Sequence, residues 1–315
     1  MDRTDLISIV IVNFNLTESV RSLLDSIKKN VNDINYEVVI VDNNSSDRSI
    51  EILSSEYPEF RFEFLNTNSG FGHGNNVGMR LSQCKYYLLL NPDTYLVDNL
   101  PLKLYNFAEK NKKIGIIGPT LIYPDGNFQI STAKFPNVKQ EIVNAIGLLK
   151  YAVRLIHWTK IKLIPKKYFN VDFVFGSCMF IRREIIESLG GFDEDYFLFA
   201  EEADLCYRVK KNTSYKVIFW KGGKIVHLKS QITGKHKLKR LKITYESKYK
   251  FFLKHYSSAY SKMLCLIIST HYFFKYLFLK IRRNDEKRDS VMQTYLYIIK
   301  KCPYSKNRKS NLVNG

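Results

Sequence analysis

Oxygen ligands stand in this chain where a diphosphate could be held. Asn91-Pro92-Asp93 closes the apolar run Tyr86-Tyr87-Leu88-Leu89-Leu90. A carboxylate at the mouth of a buried strand, beside a rigid proline, can hold a divalent cation against a diphosphate. Mg²⁺ or Mn²⁺ commonly takes one or two carboxylates and leaves its remaining positions to substrate phosphates and water. Asn-Pro-Asp is also good turn chemistry, so Asp93 needs partners before it becomes a ligand. Two candidates lie far downstream: the acidic cluster Glu201-Glu202-Ala203-Asp204, and His227 within Lys224-Ile225-Val226-His227-Leu228. Acids at the start of a helix that ends in Arg208, Lys210 and Lys211 suit the helix dipole without any catalytic role. The approach to that helix, Gly190 to Ala200, adds Asp193, Glu194 and Asp195, four aromatics and two glycines, more than a cap requires. Clustered carboxylates raise one another's pKa, which suits one of them to act as a general base near neutral pH.

Polar groups also end the earlier strands. Asn13 and Asn15 follow Val10-Ile11-Val12, and Asp42 follows Val38-Val39-Ile40-Val41. In open α/β sheets ligands bind at the carboxyl ends of strands, where Asp42 could accept hydrogen bonds from a base or ribose. Asn68-Ser69-Gly70-Phe71-Gly72-His73-Gly74-Asn75-Asn76 follows a strand and opens a helix. Gly70 and Gly72 would let backbone approach a sugar or phosphate, and the helix start favours an anion. Asn75 occupies the place of a third glycine, and the loop follows the third strand, so this is a poor dinucleotide fingerprint.

These residues must be positioned by alternating strands and helices. Strands are predicted at Leu6–Asn13, Tyr36–Asp42, Phe62–Asn66, Tyr86–Asn91 and Ile114–Pro119, with helices near 17–29, 46–56, 73–83 and 98–110. The capping candidates are Ser45, Ser46 and Asp98. Near-continuous apolarity in the strands predicts an α/β fold with a mostly parallel central sheet covered on both faces. Further on, 137–157 reads as helix, Val171–Ile181 as strand broken at Gly176, 183–190 and 200–212 as helices, and 216–220 and 224–228 as strands. Basic helices follow to about 301, then a polar tail.

Charge divides the chain. Of the net +19, residues 1–207 carry −4 and residues 208–315 carry +23. The expected organisation is a catalytic domain over 1–234 and a basic helical extension over 235–315, whose natural partner is an anionic surface. The greasiest stretch, 263–279, falls short of a bilayer span, is interrupted by His271 and Lys275, and is flanked by Lys262, Lys280, Arg282 and Arg283. It reads as an interfacial helix on anionic lipid, or else as a helix packed on the catalytic domain. Its aromatics sit within apolar runs rather than alternating with lysines, which argues against nucleic acid as a partner. Five scattered cysteines without a C-x-x-C pair fit reduced thiols, and the acidic N-terminus does not resemble a secretory signal. A cytoplasmic protein, peripheral on the inner face of the membrane, is expected.

Taken in order, Val10–Asn15, Val41–Asp47, Asn68–Asn76, Leu89–Asp93, Gly191-Phe192-Asp193, Phe197–Cys206 and Val226-His227 resemble the family 2 glycosyltransferases, most closely their rhamnosyltransferase-like branch. The similarity covers roughly residues 6–255. It implies a GT-A fold and an inverting transfer from a nucleotide-diphosphate sugar, dTDP-rhamnose being favoured, to a hydroxyl of a glycan or lipid-linked precursor. It further implies that Asp42 recognises the base, that Asp93 ends a DxD-type metal motif beginning at Asn91, that Glu202 is the catalytic base, and that His227 is a further metal ligand. Glu202 stands where the family usually has Asp, so Glu201 or Asp204 could share its role. The rival readings are a sugar nucleotidyltransferase, which lacks here an early basic triphosphate loop, and a non-catalytic nucleic-acid- or membrane-binding protein.

Overall fold

The computed structural model describes residues 6–46, 49–145, 166–228, 237–281 and 288–302. Asp47, the part of the expected 137–157 helix beyond 145, the 234/235 boundary, Arg282, Arg283 and the polar tail lie outside them. The chain divides into two compact units. One comprises Met1–Phe135, Pro165–Phe197 and Glu201–Ser230, and the other Pro136–Ile164, Leu198–Ala200 and Gln231–Gly315.

The first unit is built on one mixed sheet. Strands β1 (Ile7–Asn13), β2 (Tyr36–Asp42), β3 (Arg61–Phe64) and β4 (Tyr86–Leu90) are parallel, in the spatial order β3-β2-β1-β4. All seven residues of β1 are buried, as its nearly continuous apolarity predicts for a strand covered on both faces. Helix α1 (Thr17–Asn30) buries Val20, Leu23, Leu24 and Ile27, one face at helical spacing. Helices α2 (Ser49–Glu56), α3 (Phe71–Arg80) and α4 (Leu100–Lys110) complete the crossovers. Helix α3 begins two residues earlier than expected because Gly70 (φ 97°) breaks the chain there and the Phe71 amide donates to the Phe197 carbonyl. Helix α4 is capped by Asn99, whose side chain accepts from Leu102 N–H, rather than by Asp98.

Past β4 the sheet becomes mixed. Strand β5 (Thr94–Leu96), not predicted from the sequence, follows Asp93 directly. Strand β6 (Ile114–Ile122) does not join β4, as simple alternation would have it. Strand β11 (Cys178–Arg182) lies between them, antiparallel to both. Short pairs come from β7 (Phe128–Gln129), β8 (Thr132–Ala133), β9 (Tyr168–Asn170) and β10 (Phe173–Val174). The expected break at Gly176 separates β10 from β11. Helices α6 (Arg183–Leu189) and α7 (Glu201–Asn212) precede β12 (Lys216–His227). The two predicted strands at 216–220 and 224–228 are this single strand, bulged between Trp220 and Lys224, which runs parallel to β6 and antiparallel to β5.

Arg182 ties the insertion together. It is buried and donates to the carbonyls of Ile114 (2.7 Å) and Ala108 (2.6 Å) and to the Tyr86 hydroxyl (2.6 Å). The second unit is helical in its described part, with α5 (Val138–Ala145), α8 (Lys237–His255), α9 (Ser258–Ile281) and α10 (Arg288–Lys301). Within it Lys248 pairs with the buried Glu141 (2.9 Å), and Ser247 Oγ donates to the Leu198 carbonyl (2.8 Å).

Candidate active site

The polar residues expected from the sequence gather at the carboxyl edge of the parallel strands. Asn13 and Asp42 are register partners at the ends of β1 and β2. Asn13 Nδ2 donates to Asp42 Oδ1 (2.8 Å), and Ser45 donates to both oxygens of the same carboxylate, through N–H (2.8 Å) and Oγ (2.6 Å). Asn15, in the left-handed region at φ 55°, receives the Ser46 N–H on its Oδ1 (2.8 Å) and gives its own N–H to Ser45 Oγ (2.9 Å). Asp42 is thus held in one orientation as an acceptor. Asn43, not singled out in the sequence, bridges this cluster to the next loop. Its Nδ2 donates to Asn68 Oδ1 (2.9 Å) and the Gly70 carbonyl (3.1 Å).

The glycine loop is shaped by packing. A Cβ at Gly70 would stand 2.1 Å from the Phe197 carbonyl oxygen, and one at Gly72 would meet Phe192 Cβ at 3.2 Å and Glu201 Cβ at 3.7 Å. The glycines therefore let α3 press against the segment that carries the acids. Asn76 holds that segment from the same helix. It donates to the Phe192 carbonyl (2.8 Å) and Glu194 Oε1 (2.9 Å), and accepts the Phe192 N–H (2.9 Å). Asn75 folds back on the Phe71 carbonyl (2.9 Å). Both asparagines are buried and occupied by protein partners, so their observed role is to position the loop. Asp193 Oδ1 accepts the Asp195 N–H (2.9 Å) in the same loop. Burial pushes the Glu194 carboxyl up, but hydrogen bonds from Asn76 and His73 (2.6 Å) hold it below its ordinary value.

The acids opening α7 divide sharply. Asp204 is fully buried and accepts from Arg208 Nε at 2.7 Å, and the same guanidinium donates to the carbonyls of Leu189 (2.8 Å) and Gly191 (2.6 Å). This carboxylate is committed to closing the turn at Gly190 and Gly191, both at positive φ. Glu201 and Glu202 each have a buried Oε2 with no hydrogen-bond partner among the described residues. Burial, with the Glu202 charge beside it, pushes the Glu201 carboxyl well up, and burial raises Glu202 to about 7. Two residues just before them, Phe199 and Ala200, have positive φ of 68° and 73°. Such conformations cost of order 1–3 kcal/mol each and tend to collect at functional sites.

Asp93 and His227 meet although 134 positions separate them. The β5–β12 ladder pairs His227 with Thr94, and Leu228 N–H donates to the Asp93 carbonyl (2.8 Å). The buried Asp93 Oδ1 consequently lies 3.3 Å from His227 Nε2. His227 Nδ1 is 2.5 Å from Gln129 Oε1, an oxygen that can only accept. With the proton on Nδ1 of a neutral ring, the Nε2 lone pair faces a carboxylate oxygen. Two acceptors so placed call for a proton or a cation between them, and an imidazole whose other nitrogen donates to a fixed oxygen is oriented as metal-ligating histidines are. The pair fits one side of a divalent-cation site. Among the described residues no third His, Cys, Asp or Glu joins them, which leaves further positions to diphosphate oxygens and water. Asn91 stands at the rim, its carbonyl accepting from Thr94 N–H (3.2 Å) and Oγ1 (2.7 Å) and its N–H donating to the Ser177 carbonyl (3.1 Å). Gln129 gave no signal of its own in the sequence. It reaches His227 because the β6–β7 hairpin sets it opposite Leu121.

The two acidic centres share this edge through contiguous packing. From Asn91 the contacts pass to Ser177, then along the chain to Gly176, where a Cβ would stand 2.9 Å from the Phe71 ring, and Gly72 lies beside Glu201. The Asn13–Asp42–Ser45 cluster, the carboxylate–imidazole pair and two glutamates, each with a buried oxygen that has no partner among the described residues, thus line one side of an α/β sheet.

The chain superimposes on the mannosyltransferase PcManGT of Pyrobaculum calidifontis, in complex with GDP-Man and Mn²⁺, with TM-score 0.55 at 13% identity, covering 95% of this chain and 86% of that one. It superimposes on S. aureus TarS 1-349 in complex with UDP-GlcNAc with TM-score 0.55 at 14% identity, covering 93% and 81%. The fold is GT-A. The profile of Glycosyl transferase family 2 matches residues 8–190, and the chain belongs to that family. It is a glycosyltransferase that acts on nucleotide sugars. Among curated relatives, the N-acetylglucosaminyl-diphospho-decaprenol L-rhamnosyltransferase of Mycobacterium tuberculosis is 25% identical over 81% of this chain and 86% of its own length. The low-salt glycan biosynthesis hexosyltransferase Agl10 of Haloferax volcanii is 28% identical over 66% of this chain, which spans only 62% of that protein. The rhamnosyltransferase WbbL of Escherichia coli is 27% identical over 65% of this chain and 76% of its own length.

Proposed function

We propose that the protein is an inverting, metal-dependent glycosyltransferase that moves a sugar, dTDP-rhamnose being the favoured donor, to a hydroxyl of a lipid-linked glycan precursor at the cytoplasmic membrane face. The observation that carries the metal-dependent part is the Asp93–His227 pair, in which a tautomer fixed by Gln129 turns a nitrogen lone pair toward a carboxylate oxygen 3.3 Å away. A rhamnosyl donor is supported by the mycobacterial and E. coli relatives, and a lipid-linked acceptor by the mycobacterial one.

Asp93 and His227 would hold Mg²⁺ or Mn²⁺, which supplies Lewis-acid neutralisation of the departing diphosphate. Asp42, locked by Asn13 and Ser45, accepts hydrogen bonds from the nucleoside, while Asn15, Asn68 and the backbone at Gly70 and Gly72 frame its phosphate side. Glu202 takes the proton from the acceptor hydroxyl as that oxygen attacks the anomeric carbon from the face opposite the nucleotide. A carboxyl raised to about 7 by burial, with one oxygen left without a partner among the described residues, suits this proton transfer near neutrality. Glu201 beside it raises the proton affinity of the pair, and Asp204 acts through Arg208 as a positioning residue. The domain division proposed is a catalytic domain over 1–234 with a basic extension over 235–315.

Screening nucleotide sugars for slow hydrolysis and for thermal stabilisation, with Mn²⁺ and with EDTA, tests the reading. We expect a deoxythymidine-diphosphate deoxyhexose to give the largest Mn²⁺-dependent response. A response to no diphosphate sugar, or one indifferent to the cation, would overturn it.

A further inference from the structure

Helix α9 of the second unit has two faces of the same character and opposite fate. Along one run Ser261, Leu264, Cys265, Ile268 and Tyr272, all buried. Ser261 Oγ donates to the Phe252 carbonyl (2.9 Å), and the Tyr272 ring packs against Tyr245 (5.0 Å) and Tyr295 (5.1 Å). Along the other, at spacings of three, four and seven, run Met263, Leu266, Phe273, Phe274, Phe278 and Ile281. Four of these are strongly exposed: Leu266 at 67%, Phe274 at 63%, Phe278 at 59% and Ile281 at 86%. Projected at 100° per residue, the exposed set forms one stripe about 140° wide, diametrically opposite the buried set. A contiguous apolar stripe of this kind marks an interaction surface.

Charge identifies the partner. Residues 258–281 contain no acid, and the exposed Lys262 and Lys280 fall on the same flank of the stripe, where their stems can run along apolar surface while their ammonium groups reach a polar layer. The chain from 208 onward carries +23. A phenylalanine-rich stripe bordered by lysines on a strongly cationic segment matches the boundary between acyl chains and anionic headgroups.

We infer that α9 lies in the plane of an anionic bilayer, with the Leu266–Phe274–Phe278–Ile281 stripe inserted below the headgroups and Lys262 and Lys280 paired with lipid phosphate. With 24 residues the helix is long enough to span a membrane, but its other face is occupied. The helices that cover it carry the Lys248–Glu141 ion pair, and Lys275 stacks over the Tyr272 ring (5.4 Å), groups that a spanning arrangement would bring into hydrocarbon. The inference deepens the proposed membrane-face reaction by naming the surface that holds the enzyme there.

Flotation of the full chain with vesicles tests it. Phosphatidylcholine vesicles containing a third phosphatidylglycerol should carry the protein upward at low salt, pure phosphatidylcholine vesicles should not, and about 0.5 M NaCl should release most of it. The double variant Phe274→Glu/Phe278→Glu alters only exposed positions and should weaken partitioning at least about tenfold. Lys262→Glu/Lys280→Glu should weaken it at low salt and flatten its salt dependence. Fluorescence of Phe274→Trp should shift to the blue and be quenched by brominated acyl chains. Equal flotation on neutral vesicles, retention of the protein through high salt, or wild-type flotation of the Phe274→Glu/Phe278→Glu protein would overturn the inference. So would light scattering that shows a dimer split by that variant without vesicle binding, since the stripe would then face a second copy of the chain. Donor hydrolysis measured without vesicles should be unchanged in these variants, so a failure of docking is distinguishable from a failure of the proposed chemistry.

Discussion

Glu202 combines two properties that a surface acid does not have together: a buried oxygen without a partner and a carboxyl raised to about 7. As a base it must be ionised, so turnover should climb as pH rises through about 7 and level off above. Glu202→Gln should abolish transfer while donor binding, followed calorimetrically, persists. Loss of rate in Glu201→Gln with Glu202→Gln still active would reassign the base. Stability has the opposite sign. A carboxyl with a raised folded-state pKa retains its proton in the fold more readily than in the unfolded chain. Its contribution is therefore fully present below about 4.5 and is lost as pH rises through about 7. Glu202→Gln should accordingly raise the melting temperature at pH 8, by about 1–3 kcal/mol of stability, with a negligible effect at pH 4. At the other centre, Gln129→Leu removes the acceptor that fixes the His227 tautomer. Mn²⁺ affinity, measured by paramagnetic relaxation, should fall roughly 10- to 100-fold with the fold intact. Asp93, His227 and Glu202 were candidates from the sequence and the family it resembles, and the structure brings Asp93 beside His227. Gln129 was not a candidate, because a lone glutamine in a two-residue strand acquires meaning only from its register.

At the scale of elements, the parallel half of the sheet was legible because strands buried on both faces are nearly continuous in apolarity. The mixed half was not. Nothing in Cys178–Arg182 announces that it enters between β4 and β6, since an antiparallel insertion and a parallel continuation bury the same side chains. Thr94–Leu96 escaped notice because three residues after Asn-Pro-Asp are too few to show a period. Arg182 is the residue on which this insertion turns. Arg182→Met would fill much of the same volume but leave the carbonyls of Ile114 and Ala108 without these donors. Urea unfolding should report a loss of about 3–5 kcal/mol. A loss below about 1 kcal/mol would mean that water replaces the guanidinium. The glycine loop taught a different lesson. Its composition suggested close approach to a ligand, and its observed constraint is close approach to Phe197 and the acidic segment.

Across the whole molecule, the five cysteines are buried and none forms a disulfide, Cys265 and Cys302 sharing a hydrogen bond instead. Burial pushes the thiols of Cys84 and Cys206 up to about 12, far from the thiolate that reacts. The native protein should therefore be nearly inert to Ellman's reagent, and the denatured protein should release five equivalents. Rapid reaction of any thiol in the native state would show that a core opens locally. The uneven charge was fully legible, since it depends on composition alone. Finally, the ladder that sets His227 beside Thr94 makes the Asp93–His227 pair a late product of synthesis. Everything needed to frame a nucleotide has left the ribosome before residue 100, whereas the imidazole comes 134 positions after its carboxylate partner. A nascent or stalled chain thus has no means of bringing the imidazole to its carboxylate until the last strand has been made.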